Sequence, residues 1–474
     1  MKKTAPGFLL VMMLSLTAFA QNAQITAKKD ALPNTFLRGK HVRFSRIAPG
    51  GPHAAKKNMP NAASLSLSAA ATSTTCPPQS IKLPCVDTLI NNNNFFKVQG
   101  VYFDGTTRDI WQYDLVGKPP ASNTSTIFNA PVIPITINML NADGTPRSIV
   151  TNTTNCPNCV PSALGKTVRL ISRPQPFVQP FLNSPVFKSA TFSSSPVPTQ
   201  ITDAEMRAQA GARATEHPQW HTLLAPSLKK GETMALIEGT YFFSLNNDGS
   251  CCAFVLVDSN VFSNELFPPT APPDNSTVIG QAEVAGSMTT QDISTFLFPN
   301  TYLYDNGNPN DCCVLGFHSF DFEPGDASNG NRTRFFVMNY SSWISPGLFA
   351  DPNCATKDPE NCFQDVTAHS HEIAETFNDP FVGYDGVHNI TPFWLNPAGQ
   401  CQDILEVGDV IEDLPNPTYP VTIGNTSYHP QTEALVPWFE FQSPSTALHN
   451  AYSYPNETVL TELSAPQPLN CAGK

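Results

Sequence analysis

Apolar residues in this 474-residue chain come in short runs, and turn-forming residues close almost every one. "APVIPITINML" (130–140) passes into "NADG", and "ALIEGTYFFSL" (235–245) into "NNDG". Runs of that length bounded by Asn, Asp, Gly and Pro predict strands joined by turns, and 45 prolines leave little room for long helices. "CCAFVLVDSNVF" (251–262), "CCVLGFHSF" (312–320) and "RFFVMNYSSW" (334–343) read as further strands. Three stretches carry a helical pattern instead: "TDAEMRAQAGARATE" (202–216), "TTQDISTFLF" (289–298) and "FQDVTAHSHEIAETFN" (363–378). Strands, a short helix, more strands and then a histidine-bearing helix describe an α+β fold. The length is enough for two domains, a β-rich N-terminal region at 76–225 and an α+β region at 226–474.

The first twenty residues have the layout of a secretory signal: Lys2 and Lys3, the apolar "GFLLVMMLSL", and "AFA" before Gln21. No later apolar run is long enough to span a bilayer, so the expected location is secreted, periplasmic or extracellular. Twelve cysteines, an even number, suit disulfides in an oxidising compartment. Cys76/Cys85 and Cys354/Cys362 are plausible local bridges. The adjacent pairs Cys251-Cys252 and Cys312-Cys313 are expected to reach separate partners. "CPNC" (156–159) reads as a structural bridge, because no βαβ pattern surrounds it to suggest redox chemistry.

Charge is unevenly placed. Residues 21–75 are basic and rich in Ala and Ser, with Asp30 their only acid, and are expected to be a disordered pro-segment or linker. The residues beyond carry 38 of the 39 acidic side chains and 17 of the 27 basic ones, which argues against nucleic acid as a partner and suits a protein that binds cations. The loops "DNGNPND" (305–311) and "DASNGN" (326–331) are rich in oxygen donors and are candidates for structural calcium, though neither has the spacing of a known calcium loop. Neither a complete phosphate-binding loop nor a G-x-S-x-G elbow is present.

Residues 369–380, "HSHEIAETFNDP", concentrate the chemistry. On a helix Val366, Ser370, Ile373 and Phe377 fall on one side, while His371 and Glu375, one turn apart, project together from the other. Glu372 lies beside that pair, Asp379 stands near the helix end, and Pro380 stops the helix. Two ligands at i and i+4 with a glutamate next to the first are the disposition of a zinc hydrolase, in which that glutamate serves as general base towards a metal-activated water. Here the second ligand is Glu375 in place of histidine, which makes harder ions more competitive. "CQDILEVGD" (401–409) offers Glu406 as a third ligand, and Asp379, Asp409, His318 and His388 are further candidates. The competing reading is a solvated acidic helix in which His371 and Glu375 form an ion pair of about 0.5 kcal/mol.

"SHEIAETFNDP" followed by "LEVGD" and "YHPQTEALVPWF" resembles a group of secreted bacterial proteins that share an S-H-E-[IL]-x-E…D-P helix, an E-[IV]-G-D turn and an aromatic close. "TQITDAEMRAQ", "WHTLL" and "VLGFHSF" extend the likeness over most of 130–445. A fainter likeness, in the D-P and E-x-G-D region alone, connects it to the phosphate-induced extracellular proteins of plants. The resemblance implies a zincin-like metallopeptidase domain, with a twisted sheet beside the active-site helix, and it implies shared roles for His371, Glu372, Glu375, Asp379, Glu406 and Asp409. The expected activity is a secreted metal-dependent hydrolase acting on a protein or peptide, with Glu372 as the base, His371, Glu375 and Glu406 around a divalent ion, zinc foremost, and an oxyanion donor in the region of Tyr428 and His429. The alternative is a non-catalytic extracellular binding or surface-associated protein with a structural or vestigial metal site. In the first case the basic segment 21–75 serves as a pro-region shielding an acidic cleft.

Overall fold

The computed structural model describes residues 30–40, 42–44, 86–89, 95–103, 108–192, 198–269, 275–349, 363–382, 394–402 and 405–463. The expected leader, residues 45–75 of the basic stretch, His388 and the pairs Cys76/Cys85 and Cys354/Cys362 lie outside these residues. The fold is mixed α+β about a mainly parallel sheet. Its spine is the long strand Thr126–Leu140, which pairs in parallel with Thr222–Leu228 along its first half and with Glu232–Ile237 along its second. On the other side it meets Ser294–Pro299, which in turn pairs in parallel with Thr333–Trp343. Gly316–Glu323 closes the arrangement as an antiparallel neighbour of Thr333–Trp343. The boundary expected between 225 and 226 falls inside the strand Thr222–Leu228, so the sheet takes strands from both sides of it.

One helical expectation fails for a physical reason. "TTQDISTFLF" supplies the strand Ser294–Pro299, all six residues of which are buried. A parallel strand covered on both faces has no polar alternation to reveal its period of two, and a short apolar run of that kind resembles a buried helix. The 202–216 stretch is helical as Ile201–Ala210 and Ala212–Glu216, broken at Gly211. That glycine has φ +55°, and a Cβ there would stand 2.2 Å from the Thr446 carbonyl oxygen.

A second sheet runs in the order Tyr241–Leu245, Cys251–Asp258, Thr301–Tyr304, Cys312–Val314. Within it Cys251 is bonded to Cys252 and Cys312 to Cys313, which corrects the expectation of separate partners: neighbouring sulfurs meet within each strand and none is left for a distant one. Cys156 and Cys159 pair as expected, and Cys401 is also disulfide-bonded. The expectation of disorder over 21–75 does not hold for residues 30–40 and 42–44. Despite the polar composition, Leu37, Val42 and Phe44 are buried and join Phe254, Tyr302 and Leu315 in one apolar cluster on this sheet. Three well-placed apolar side chains anchor a segment whose average composition gives no hint of it.

The helix Thr367–Asn378 packs on the strands Gly316–Glu323 and Thr333–Trp343. Val366, Ile373 and Phe377 face the core as the spacing predicts, and Phe377 meets Phe128 edge to face with 5.9 Å between ring centroids. The opposite side is not solvated, since all twelve helix residues are buried, and this removes the reading of an exposed acidic helix. Thr376 Oγ1 donates to Asn339 Oδ1 at 2.7 Å, tying the helix to the sheet. Among the described residues no helix is long and apolar enough to cross a membrane. Replacing Phe377 with Ala should cost about 3–5 kcal/mol in equilibrium denaturation, whereas Ile127→Ala, at a side chain 64% exposed, should fall within about 0.5 kcal/mol of the parent.

Candidate metal centre

The buried helix sends its four titratable side chains in two directions. His369 points into an apolar pocket, tilted against Phe181 and Phe187, with its Nε2 3.1 Å from Thr295 Oγ1. Burial alone lowers its pKa to about 3, so it is a neutral structural side chain. His371, Glu372 and Glu375 turn towards the strand Gly316–Glu323 and the 405–409 turn.

Glu375 is the hub. Its Oε1 lies 3.1 Å from His371 Nε2 and accepts from the backbone N–H groups of Gly408, at 3.1 Å, and Asp409, at 3.3 Å. Its Oε2 lies 3.2 Å from His318 Nδ1. The E-V-G-D turn therefore serves the helix through its main chain as well as its side chains. Gly408 is required there, because a Cβ would stand 2.3 Å from His371 Nδ1 and 2.7 Å from Cγ, in steric overlap with the ring. Phe44 stacks on the same imidazole, 3.6 Å between centroids at 22°. Gln431 sets the tautomer: its Nε2 donates to the Gly408 carbonyl at 2.7 Å, so its Oε1, 3.1 Å from His371 Nδ1, is an acceptor and the neutral ring keeps a lone pair on Nε2.

His318 completes the group from the strand. Besides Glu375 it approaches Glu372 Oε2 at 3.5 Å and Glu406 Oε2, from Nε2, at 3.9 Å. Ligand atoms of His318, Glu375 and Glu406 lie within 4.8 Å of one another, and so do those of His371, Glu372 and Glu375. The expected trio of His371, Glu375 and Glu406 is thus divided between two overlapping triplets that share Glu375, and His318, foreseen only as a further candidate, is brought into one of them. Asp409 is the most open member at 21% side-chain exposure, 3.4 Å from His371 Nε2. Asp379 reaches the site by its main chain, its carbonyl oxygen 3.1 Å from His318 Nε2. Tyr428 does not point here: its hydroxyl donates to the Pro180 carbonyl at 2.9 Å, and His429 Nδ1 is held 2.7 Å from Asp365 Oδ2, outside the two triplets. The calcium-candidate loops use their acids locally. Asp305 and Asp311 hold Arg43, and Asp326 binds Ser328 and Arg334.

Electrostatics follow from burial. Desolvation pushes Glu372 up to about 7 and Asp409 up to about 6. Burial also opposes ionisation of Glu375, but the charges and hydrogen bonds of His371 and His318 outweigh it and hold that carboxyl well below the usual range. Burial disfavours the charged forms of both histidines too; Glu406 around His318 and Glu375 around His371 reverse that and raise them. Four carboxylates against two imidazoles leave excess negative charge when all are ionised, in a place where uncompensated charge is costly. Neither Glu372 oxygen has a partner in hydrogen-bonding geometry. That donor set, N and O atoms converging with charge to spare, fits a divalent cation.

Gln431 and two further buried acids, Glu433 and Glu205, went unassigned in the sequence, where "HPQTE" and "DAEM" look like ordinary polar stretches. Glu433 is raised well above its normal value by burial, with His371 opposing and the site's carboxylates adding to the rise; Glu205 is raised by burial and then by Glu433. No family model matches the chain, and comparisons with curated proteins and with solved structures return no match.

The Glu205 shift carries a sign. A carboxyl whose folded pKa is raised keeps a proton that the unfolded chain releases above about pH 4.3, so its contribution weakens folding as pH climbs from there towards the folded value, by about 1.4 kcal/mol per pH unit. Glu205→Gln should flatten that part of the profile: chemical denaturation should find the variant more stable than the parent at pH 8 and equal to it near pH 4.

Proposed function

We propose that this chain is a secreted metal-dependent hydrolase that cleaves peptide bonds, with zinc as its resident ion. The observation that carries the reading is the convergence of His318, Glu375 and Glu406 within 4.8 Å, all buried, with Glu372 Oε2 3.5 Å from His318. His318, Glu375 and Glu406 would hold the ion, and His371, whose Nε2 lies 3.1 Å from Glu375 Oε1, would be a further ligand through that nitrogen. A divalent ion bound there supplies Lewis acidity, polarising a carbonyl and making a water easier to deprotonate. Glu372 is the general base: burial brings its carboxyl to about 7, so near neutral pH it accepts a proton and returns it to a leaving amine. Gln431 keeps His371 Nε2 available by fixing the proton on Nδ1. The mainly parallel sheet against which the helix packs supports the zincin-like reading, and disulfides at 156–159, 251–252 and 312–313 suit export.

One observation favours a second reading. His318, His371, Glu372, Glu375 and Glu406 are each at most 2% exposed, the degree of closure typical of a structural ion site, in which case the protein is a non-catalytic extracellular module. Metal content by mass spectrometry and turnover of an unfolded protein substrate separate the two. The hydrolase reading expects Glu372→Gln to retain its ion while losing about 10²–10⁴-fold in kcat, and His318→Ala to lose both. A structural site shows no turnover in the parent or either variant, with stability lost in His318→Ala. Gln431→Ala should weaken zinc binding by about 10–100-fold in a competition titration with a chelating dye, and an unchanged affinity would remove its orienting role.

A further inference from the structure

A cavity of about 340 Å³ lies between the strand Arg108–Val116, the helix Ile201–Ala210 and the segment 436–446. None of its lining residues belongs to either histidine triplet, so it is a site apart from the metal centre. Its volume is at the small end of the range for ligand pockets, about 300–1,000 Å³. Leu115, Met206, Trp220 and Val436 make an apolar floor, each at most 5% exposed. Trp220 donates its ring N–H to the Lys118 carbonyl at 2.7 Å, so what that ring offers the cavity is apolar surface.

One wall carries a positioned carboxylate. Glu440 Oε1 accepts from the Tyr113 hydroxyl at 2.6 Å, and Oε2 accepts from Gln442 Nε2. Gln442 is itself oriented, because its Oε1 takes the N–H of Thr446 at 3.1 Å and its hydroxyl at 2.6 Å, which leaves Nε2 to the carboxylate. Each oxygen of Glu440 then has a lone pair left for a further donor. Burial pushes the Glu440 carboxyl up, while the bonds from Tyr113 and Gln442 and the charge of Arg213 work against that rise.

The rim carries the opposite charge. The break at Gly211 starts the short helix Ala212–Glu216, on which Arg213 is exposed and borders the cavity. Arg207, one helix earlier, is consumed inside the fold by the carbonyls of Trp220 and Ala214. Arg213 has no ion-pair partner among the described residues, although its charge acts on both Tyr113 and Glu440. A carboxylate and a guanidinium thus face one small cavity over an apolar floor without closing on each other. A simple cation would be repelled by Arg213 and a simple anion by Glu440, and an uncharged apolar molecule would cover Glu440 without giving it a donor. A molecule with both charges and an apolar body satisfies all three surfaces.

We infer that this cavity binds a zwitterion with an apolar side chain, an amino acid or a short peptide, whose ammonium meets Glu440, whose carboxylate meets Arg213 and whose side chain rests on Leu115, Met206, Trp220 and Val436. The inference stands whether or not the metal centre is catalytic; if it cleaves peptides, such zwitterions are its products.

Isothermal titration calorimetry on the full chain, as purified and after chelator treatment, tests it with four probes: phenylalanine, phenylalaninamide, N-acetylphenylalanine and alanyl-phenylalanine. The parent should bind phenylalanine or the dipeptide about tenfold or more tighter than the amide, which lacks the carboxylate, and the acetyl derivative, which lacks the ammonium. Arg213→Ala, at an exposed position, should lose that tenfold towards phenylalanine while its affinity for the amide is unchanged; Glu440→Gln should do the same with the acetyl derivative as its unchanged partner. These paired ligands separate a lost contact from a misfolded variant. A tighter dipeptide makes the occupant a peptide end and a tighter amino acid makes it the free zwitterion, and both support the site. No binding of either by the parent, equal affinity for all four probes, or binding abolished by the chelator overturns it. Turnover enters none of these readings, so the inference and the hydrolase reading fail separately.

Discussion

A single buried carboxylate organises the centre. Glu375 accepts two backbone N–H groups of the 405–409 turn and stands between two imidazoles, His371 on its own helix and His318 on a strand. Those contacts hold it ionised although burial works against it. Remove that charge and both histidines lose their nearest counter-ion, while the turn loses the acceptor that fixes its position; one interaction therefore couples helix, strand and turn. The same carboxylate belongs to both histidine-containing triplets of the centre, which ties the geometry of the site to its electrostatics.

The rest of the fold supplies the dry surroundings in which such a group counts. The helix Thr367–Asn378 is buried along its whole length, with an apolar side on the Phe128 and Phe377 contact and a polar side roofed by the strand Gly316–Glu323, the 405–409 turn and Phe44. Two close approaches have no room for a side chain: Gly408 against the His371 ring, and Gly316, where a Cβ would lie 2.6 Å from Glu372 Oε1. In a low-dielectric pocket Glu372 rises to the neutral range, where it can both take and return a proton, while Glu375 three residues later is driven the other way by its cationic neighbours. Two glutamates on one helical turn are thus given opposite proton affinities by their surroundings.

Much of the helix and of its apolar stripe was legible, because a period of 3.6 survives in "VTAHSHEIAETF" and Pro380 marks its end. Glu406 and the turn around Gly408 were legible as a compact acidic loop. His318 was not assignable in the same way: on the strand Gly316–Glu323 every residue is buried, so no alternation says which side faces the helix. Ser294–Pro299 misled for the same reason. The 30–44 segment was obscured by its average composition, since three apolar side chains in a basic stretch do not announce that each has a cavity to fill.

What the sequence determined by itself is local: which residues have helical period, where turns and proline end them, and that an imidazole and a carboxylate sit one turn apart on a common face, because those features depend only on neighbours along the chain. Tertiary structure decided everything that depends on distant segments meeting. It brought His318 and Glu406 to Glu375, closed adjacent cysteines on each other, and set Phe44 on His371 across more than three hundred residues of chain. Burial, too, was its decision, and the proton affinities of Glu372 and Glu375 follow from burial and long-range charge, quantities that no stretch of twelve letters contains.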